Sequence, residues 1–323
     1  MSQINDAVRV LQAGGLVAFP TETVYGLGAD ARSAPAVRRI FEVKGRPATN
    51  PLIVHVLDEK MAQQYVLWNH LAGELARAFW PGPLTLVLLK GKSIPGEVSA
   101  HRYSVGVRAP DHPIATELLQ KFAGPIAAPS ANRSNRISPT TAAHVREEFG
   151  EDVEIILDGG PARVGIESTV LDLTCELPRI LRPGAVTREQ LEEVAGTVEM
   201  RPITVDASLA AESPGQQARH YSPLSPAYRG GRVEIEEMLR QPHPQGRRVA
   251  ILFAGEAVDA SVEEPVLELP RDPSGYAQSL YSTLRKADAM RPACILIELP
   301  PEQPAWAAVR DRVMRATLPW AGE

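Results

Sequence analysis

Leu16-Val17-Ala18-Phe19-Pro20-Thr21-Glu22-Thr23-Val24-Tyr25-Gly26-Leu27-Gly28 decides how the first half of this chain is read. Residues 16–19 form a short apolar run, the mark of a buried strand. The run passes directly into a loop of hydroxyls, one carboxylate and two glycines. Open α/β sheets bind ligands at loops of this kind, outside strand ends. The loop is not a dinucleotide fingerprint, because GxGxxG fails after Gly26-Leu27-Gly28. Nor does the chain carry a P-loop: before Gly91-Lys92-Ser93, Leu86 stands where the first glycine belongs, and Pro95 follows where a helix should open.

Outward from that stretch, apolar runs at 52–56, 84–89, 105–108, 126–128, 153–157, 169–173 and 179–181 read as strands. Helical patterns fall near 4–13, 35–44, 59–67, 70–79, 113–122, 140–149 and 187–195. Ser33 before Ala34-Pro35 fits a helix N-cap with proline in the first turn, and Pro139-Thr140 opens another helix. Strand–helix units alternate with apparent hairpins, which predicts an α/β fold with a mixed, twisted sheet.

The helix at 35–44 holds an anomaly. Val37, Ile40 and Phe41 mark its buried face, and the next position on that stripe is Lys44. A lysine there must find an anion or shift its pKa, since an unpaired buried ammonium is very costly. Gly45 ends the helix and Arg46 adds a second cation, although spacing alone fits a snorkelling lysine beside a surface arginine equally well.

The densest polar loop runs from Ala128-Pro129-Ser130-Ala131-Asn132 through Arg133-Ser134-Asn135-Arg136 to Ser138-Pro139-Thr140, from a strand into a helix start, where anions are stabilised. Ser104 and Arg108 sit four apart on one strand face, Ser168 opens a strand and Arg182 ends one. Taken singly, each also reads as ordinary turn or strand-end chemistry. Together they supply cations and hydroxyls with no Ser-His-Asp order, reactive cysteine or metal-ligand cluster. That set suits a polyphosphate beside a small polar substrate, with catalysis by positioning and charge stabilisation.

At 323 residues the chain predicts two domains. A net charge of −5 argues against clamping nucleic acid by overall charge. The N-terminus lacks a basic segment before an apolar run, and no stretch approaches a membrane span. Cys175 and Cys294 stand alone and read as free core thiols in a reducing compartment, so a cytoplasmic location is expected. Between 204 and 228 periodicity fails, notably in Ser213-Pro214-Gly215-Gln216-Gln217 and Tyr221-Ser222-Pro223-Leu224-Ser225-Pro226, which reads as a linker. His220 and Tyr221 are unusual in a spacer; they suit a lid, or a tyrosine that packs the linker down. From 229 onward, continuous apolar strands at 249–253 and 294–299 with helices near 274–290 and 304–316 predict a small α/β module covered on both faces.

Read together, these segments resemble the threonylcarbamoyl-adenylate synthase family in its long two-domain form. The resemblance rests on 19–28, Lys44-Gly45-Arg46-Pro47 with Asn50-Pro51-Leu52, Trp80-Pro81-Gly82-Pro83-Leu84-Thr85, 105–110, 129–132 with Ser138-Pro139-Thr140, 165–170 and 181–185. Ser213-Pro214-Gly215 and Arg219-His220-Tyr221-Ser222-Pro223 are similar to that family's interdomain segment. Ala287-Asp288-Ala289 and Glu298-Leu299-Pro300 are similar to its C-terminal domain. The resemblance implies a YrdC-like catalytic domain over 1–203, a linker and lid over 204–228, and a smaller Rossmann-like α/β domain over 229–323.

It also implies a reaction. L-threonine, bicarbonate and ATP would give threonylcarbamoyl-AMP and pyrophosphate, the first step toward N6-threonylcarbamoyladenosine at position 37 of tRNA. Thr23, His55, Arg108, Ala128 and Ser168 would hold threonine. Lys44, Arg46, Asn50, Ser104, Ser130, Asn132, Ser138, Arg182 and Tyr221 would surround ATP, with Lys44 and Arg46 the catalytic pair. Mg²⁺ would arrive with ATP, with no resident metal. A separate tRNA threonylcarbamoyl transferase complex would receive the product, without stable binding of nucleic acid or membrane by this chain. Asn135 departs from the family pattern where glycine is expected, which is tolerable if it takes the left-handed conformation; Gln216-Gln217 and Leu224 replace residues usual in the linker. A carbamoyl-adenylating domain of the hydrogenase-maturation type and a noncatalytic RNA-binding module are the competing readings. Nothing in the sequence resembles the first one's companion modules, and few aromatics are present for the second.

Overall fold

The computed structural model describes residues 3–200, 220–240, 246–255 and 264–320. The expected linker motif at 213–217, and Arg219, lie outside these residues. The strands of the larger sheet are β1 (Val17–Phe19), β2 (Gly26–Asp30), β3 (Ile53–His55), β4 (Leu84–Leu89), β5 (Ser104–Arg108), β6 (Ile126–Ala127), β7 (Ile155–Ile156), β8 (Thr169–Asp172), β9 (Arg179–Arg182) and β10 (Glu199–Met200). Their order is β10-β9-β8-β4-β5-β3-β6-β2-β1-β7. Parallel pairs such as β3–β5 and β4–β8 alternate with antiparallel ones such as β1–β2 and β4–β5, so the sheet is mixed, as the sequence predicts.

Two readings of local structure are corrected. Residues 26–30 form a strand although two of five are glycine, because Gly28 leaves room for its neighbours: a Cβ there would lie 2.7 Å from Ile126 and 2.8 Å from the Phe19 ring. The helix expected over 59–67 stops at Ala62. Tyr65 and Val66 then turn into the core, and Val66 bridges to Lys90.

The faces of this sheet differ. Val54, Leu86, Val107 and Leu171 point into the main core, which is covered by helices including Ala34–Lys44, His70–Phe79 and Ala142–Phe149. On the other face, Gln3–Gln12 and Pro113–Phe122 cover only the end near β1 and β7. The remainder of that face carries polar residues such as His55, Thr85 and Arg108 beside a small apolar cluster of Val87, Val170 and Leu181.

The second sheet contains β11 (Ala227–Gly230), β12 (Arg248–Phe253), β13 (Val266–Leu269), β14 (Cys294–Glu298) and β15 (Leu318–Pro319), all parallel in the order β13-β12-β14-β11-β15. Val249, Ile251, Ile295 and Ile297 pack on the helix Pro273–Ala289, while Ala250, Leu252 and Leu296 pack on the helix Arg232–Arg240. This is the double coverage that continuous apolar strands require. Cys294 is buried here; Cys175 is instead partly exposed, its thiol donating to Asp172 at 3.3 Å. No described helix is long and apolar enough to cross a membrane.

Contacts between the two units are close. Val24, Ile137, Ile166 and Tyr221 join the core of the second sheet. Gly165, at φ +80°, sits against the helix Pro273–Ala289, where a Cβ would overlap the backbone of Gln278.

Candidate active site

Lys44 is where helical period places it. Ser33 accepts a hydrogen bond from the Ala36 N–H and caps the helix Ala34–Lys44. Gly45 ends it at φ +59°, and the Arg46 N–H returns to the Phe41 carbonyl. Lys44 is buried with Val37, Ile40 and Phe41. Its ammonium donates to the carbonyls of Ser130 (2.7 Å) and Asn132. Burial, reinforced by Arg46, holds its pKa well below the usual lysine range. Lys44 thus braces the polar loop from behind.

In front of that loop lies a hollow of about 510 Å³, mouth included, on the open face of the sheet. All five residues expected to hold threonine line it: Thr23, His55, Arg108, Ala128 and Ser168. Of the residues expected around ATP, Arg46, Ser130, Arg182 and Tyr221 line it as well. Asn50, Asn132 and Ser138 are buried beside Lys44 and the polar loop without lining the hollow. Ser104 lines a smaller neighbouring hollow with Arg102 and Gly106, and Ile53 borders both.

Register explains the grouping. His55 pairs with Arg108 across β3 and β5, so both project from the same face. The Arg108 guanidinium donates to Thr23 Oγ1 (2.9 Å) and the Gly82 carbonyl (3.2 Å), and pairs with Glu22 at 2.6 Å. Thr21 Oγ1 lies 2.8 Å from Thr23 Oγ1 and continues the chain of hydroxyls. Burial, then the Arg108 charge, pushes His55 down to about 3, so its ring is neutral at physiological pH. Arg182 donates to the Ser168 carbonyl and hydroxyl, and that hydroxyl also bonds Thr85 at 2.8 Å. Desolvation lowers Arg46 to about 10, and its Nη2 donates to the Pro51 carbonyl at 3.0 Å. Three arginines therefore face one hollow in an acidic protein.

The linker segment closes one side. The His220 N–H donates to the Arg315 carbonyl of the second unit, and the Ser222 N–H donates to the Asn135 carbonyl of the polar loop. Asn135 does adopt the left-handed conformation, at φ +65°. Between these anchors Tyr221 is fully buried at φ +62°, costly for an aromatic residue and held by the bonds on either side. Burial pushes its phenol up to about 12 and lowers His220 to about 3. Buried polar atoms without a protein partner gather here: Nδ1 of His55 and of His220, the Tyr221 hydroxyl, Asn50 Nδ2 and Asn132 Oδ1. Such atoms are expensive unless a ligand or water satisfies them.

Sequence reasoning missed Glu22 and Glu167. Glu167 is buried, accepting from Ser138 (2.6 Å), Tyr281 (3.0 Å) and Arg312 (2.7 Å). Burial alone would raise its pKa, but Arg312, Arg182 and the Ser138 hydroxyl outweigh it and hold the group at about 2. Neither carboxylate stands in a motif of its own; the only signal was a charged residue next to Thr23 or Ser168.

Comparison with known proteins agrees with this geometry. Residues 9–184 match the Sua5/YciO/YrdC family described as "Telomere recombination", and residues 186–317 match "Threonylcarbamoyl-AMP synthase, C-terminal domain". The threonylcarbamoyl-AMP synthase of Pyrococcus abyssi is 41% identical, over 98% of this chain and 94% of that protein. That of Bacillus subtilis is 39% identical, over 97% and 92%. The crystal structure of P. abyssi Sua5 complexed with L-threonine superposes with a TM-score of 0.91 at 39% identity, covering 98% of this chain and 95% of that one. With both units matched over nearly their full length, this chain belongs to the threonylcarbamoyl-AMP synthase family.

Proposed function

We propose that this chain makes threonylcarbamoyl-AMP and pyrophosphate from L-threonine, bicarbonate and ATP, in the hollow on the open face of the larger sheet. The observation that carries this reading is the convergence of Arg46, Arg108 and Arg182 with Thr23, His55 and Ser168 on one hollow. Arg108 donates through Nε to Gly82 and through Nη1 to Thr23 and pairs with Glu22 through Nη2, which leaves N–H groups on Nη1 and Nη2 for the carboxylate of threonine. Neutral His55 and the Ser168 hydroxyl suit its polar atoms, and Ala128 forms the wall. Arg46 and Arg182 face the phosphates, Ser130 and Tyr221 border the nucleotide, and Lys44 acts through the loop it braces.

Chemically, the neutral amine of threonine and bicarbonate give a carbamate and water. A carbamate oxygen then attacks the α-phosphorus in line, forming the mixed anhydride as pyrophosphate leaves. Arginines fixed in advance stabilise charge that builds on the phosphates, and a covered site slows hydrolysis of the labile product. Mg²⁺ would come with ATP, because Glu167 at the hollow and Glu22 behind Thr23 are tied to Arg312 and Arg108. The product serves a tRNA-modifying transferase acting at position 37, and this chain works in the cytoplasm without stably binding RNA or membrane.

Pyrophosphate release tests this directly. Release from ATP that requires threonine and bicarbonate together supports the reading; release driven by carbamoyl phosphate would favour the hydrogenase-maturation chemistry, and none at all would leave a binding module.

A further inference from the structure

Among the described residues, none beyond Tyr221 lines the hollow, so the described part of the second domain places no side chain there. It nevertheless touches three parts of the wall through one residue. Arg312, on the helix Ala307–Ala316, is completely buried. Its Nε donates to Glu167 Oε2 at 2.7 Å, and an Nη2 hydrogen points to the Glu167 carbonyl at 3.4 Å, directly before Ser168. The other oxygen of Glu167 accepts from Ser138. The Arg312 Cζ lies over the Tyr221 ring, 5.3 Å from its centre. Tyr281 repeats the pattern, with its hydroxyl on Glu167 and its ring 5.6 Å from that of Tyr221. Asp311 orients Arg312 from behind at 2.6 Å and is itself bound by Arg315, whose carbonyl receives the His220 N–H.

The geometry points to Arg312 as a positioning residue for the nucleotide half of the site, one that sets Tyr221 and, through Glu167, Ser138. This rests on the functional reading above and gives the second domain a defined part in it. A buried ion pair is weak evidence of added stability, since apolar replacements often serve as well. A guanidinium that bonds the Glu167 carboxylate and carbonyl through separate nitrogens while lying over an aromatic ring fixes the relative placement of two groups, which a lysine cannot do.

The test compares steady-state pyrophosphate release by the full-length chain with Arg312→Met, Arg312→Lys and Val313→Ala. Val313 is a core neighbour on the same helix that shares the apolar core with Tyr221 but makes none of the hydrogen bonds or ring contacts described for Glu167 and Tyr221, so its variant controls for lost stability and packing. The expected result is a rise of about tenfold or more in KM for ATP in Arg312→Met, with KM for threonine changed less than twofold. Arg312→Lys should keep most of the defect, and Val313→Ala should show none despite a lowered melting temperature. Adding Tyr221→Ala to Arg312→Lys should worsen KM for ATP less than the product of the single effects. If Arg312→Met fails to fold, Arg312→Lys decides by the same criterion. A KM for ATP within twofold of wild type in the folded Arg312 variants, or an equal rise in Val313→Ala, would overturn the proposal alone. A wild-type chain that releases no pyrophosphate would overturn the functional reading with it.

Discussion

Thr23 holds its hydroxyl between Thr21 and Arg108, so the position is a joint in a buried polar chain as well as a contact for substrate. Thr23→Val keeps the shape and deletes the joint. We expect about a tenfold rise in KM for threonine, and a stability loss of about 1–3 kcal/mol from the buried donor left behind; steady-state kinetics and urea melts check the pair. The buried histidines give a second expectation. His55 and His220 titrate near 3 and His144 near 4 in the folded chain, each lowered first by burial, against about 6.5 when unfolded. Below pH 6.5 the unfolded chain takes up protons that the folded chain refuses, so stability falls as pH drops toward 4. Glu167, at about 2 when folded, adds a loss only below its unfolded value near 4.5. Melting temperature should be flat from pH 8 to 7 and decline below 6.5. His55→Gln should make the decline shallower by about 1.4 kcal/mol per pH unit; an unchanged slope would contradict the shifted value.

Among the elements, the turn after β9 sits tightest, against the residues that open β8. A Cβ on Gly184 would overlap Thr169 N and the Ser168 carbonyl carbon, backbone atoms that cannot swing aside. Gly184→Ala should therefore cost about 1–3 kcal/mol in stability and raise KM for threonine by displacing Ser168, read by melting and kinetics together. Elements also show what the sequence could disclose. Position 44 was legible because the period of 3.6 residues is local, and β12 and β14 because continuous apolar character reports double coverage. β2 was not, since its glycines answer to Phe19 and Ile126, which only the folded sheet brings near. β11 begins inside the expected linker, because Ala227-Tyr228-Arg229-Gly230 carries no apolar run, and the helix Arg232–Arg240 went unread. The partners of Arg108 and Glu167 were invisible for the same reason: Glu22 and Arg312 are 86 and 145 residues away, and pairing at that range leaves no pattern in sequence.

Over the whole molecule, a mixed sheet with one face buried under helices and the other partly bare creates a place where residues from six strands or strand ends converge. The His220–Tyr221 segment, held by the second domain, completes its wall. Sequence motifs named most of the lining, but not the layering: Lys44 and Ser138 stand behind the surface, and Ser104 beside it. The most direct measurement is a crystal structure of this chain with L-threonine and a nonhydrolysable ATP analogue. The account predicts both molecules in the single hollow beside Tyr221, the threonine carboxylate on Arg108 and the phosphates against Arg46 and Arg182. Threonine and nucleotide found in separate hollows, or the nucleotide seated on the second domain, would contradict it.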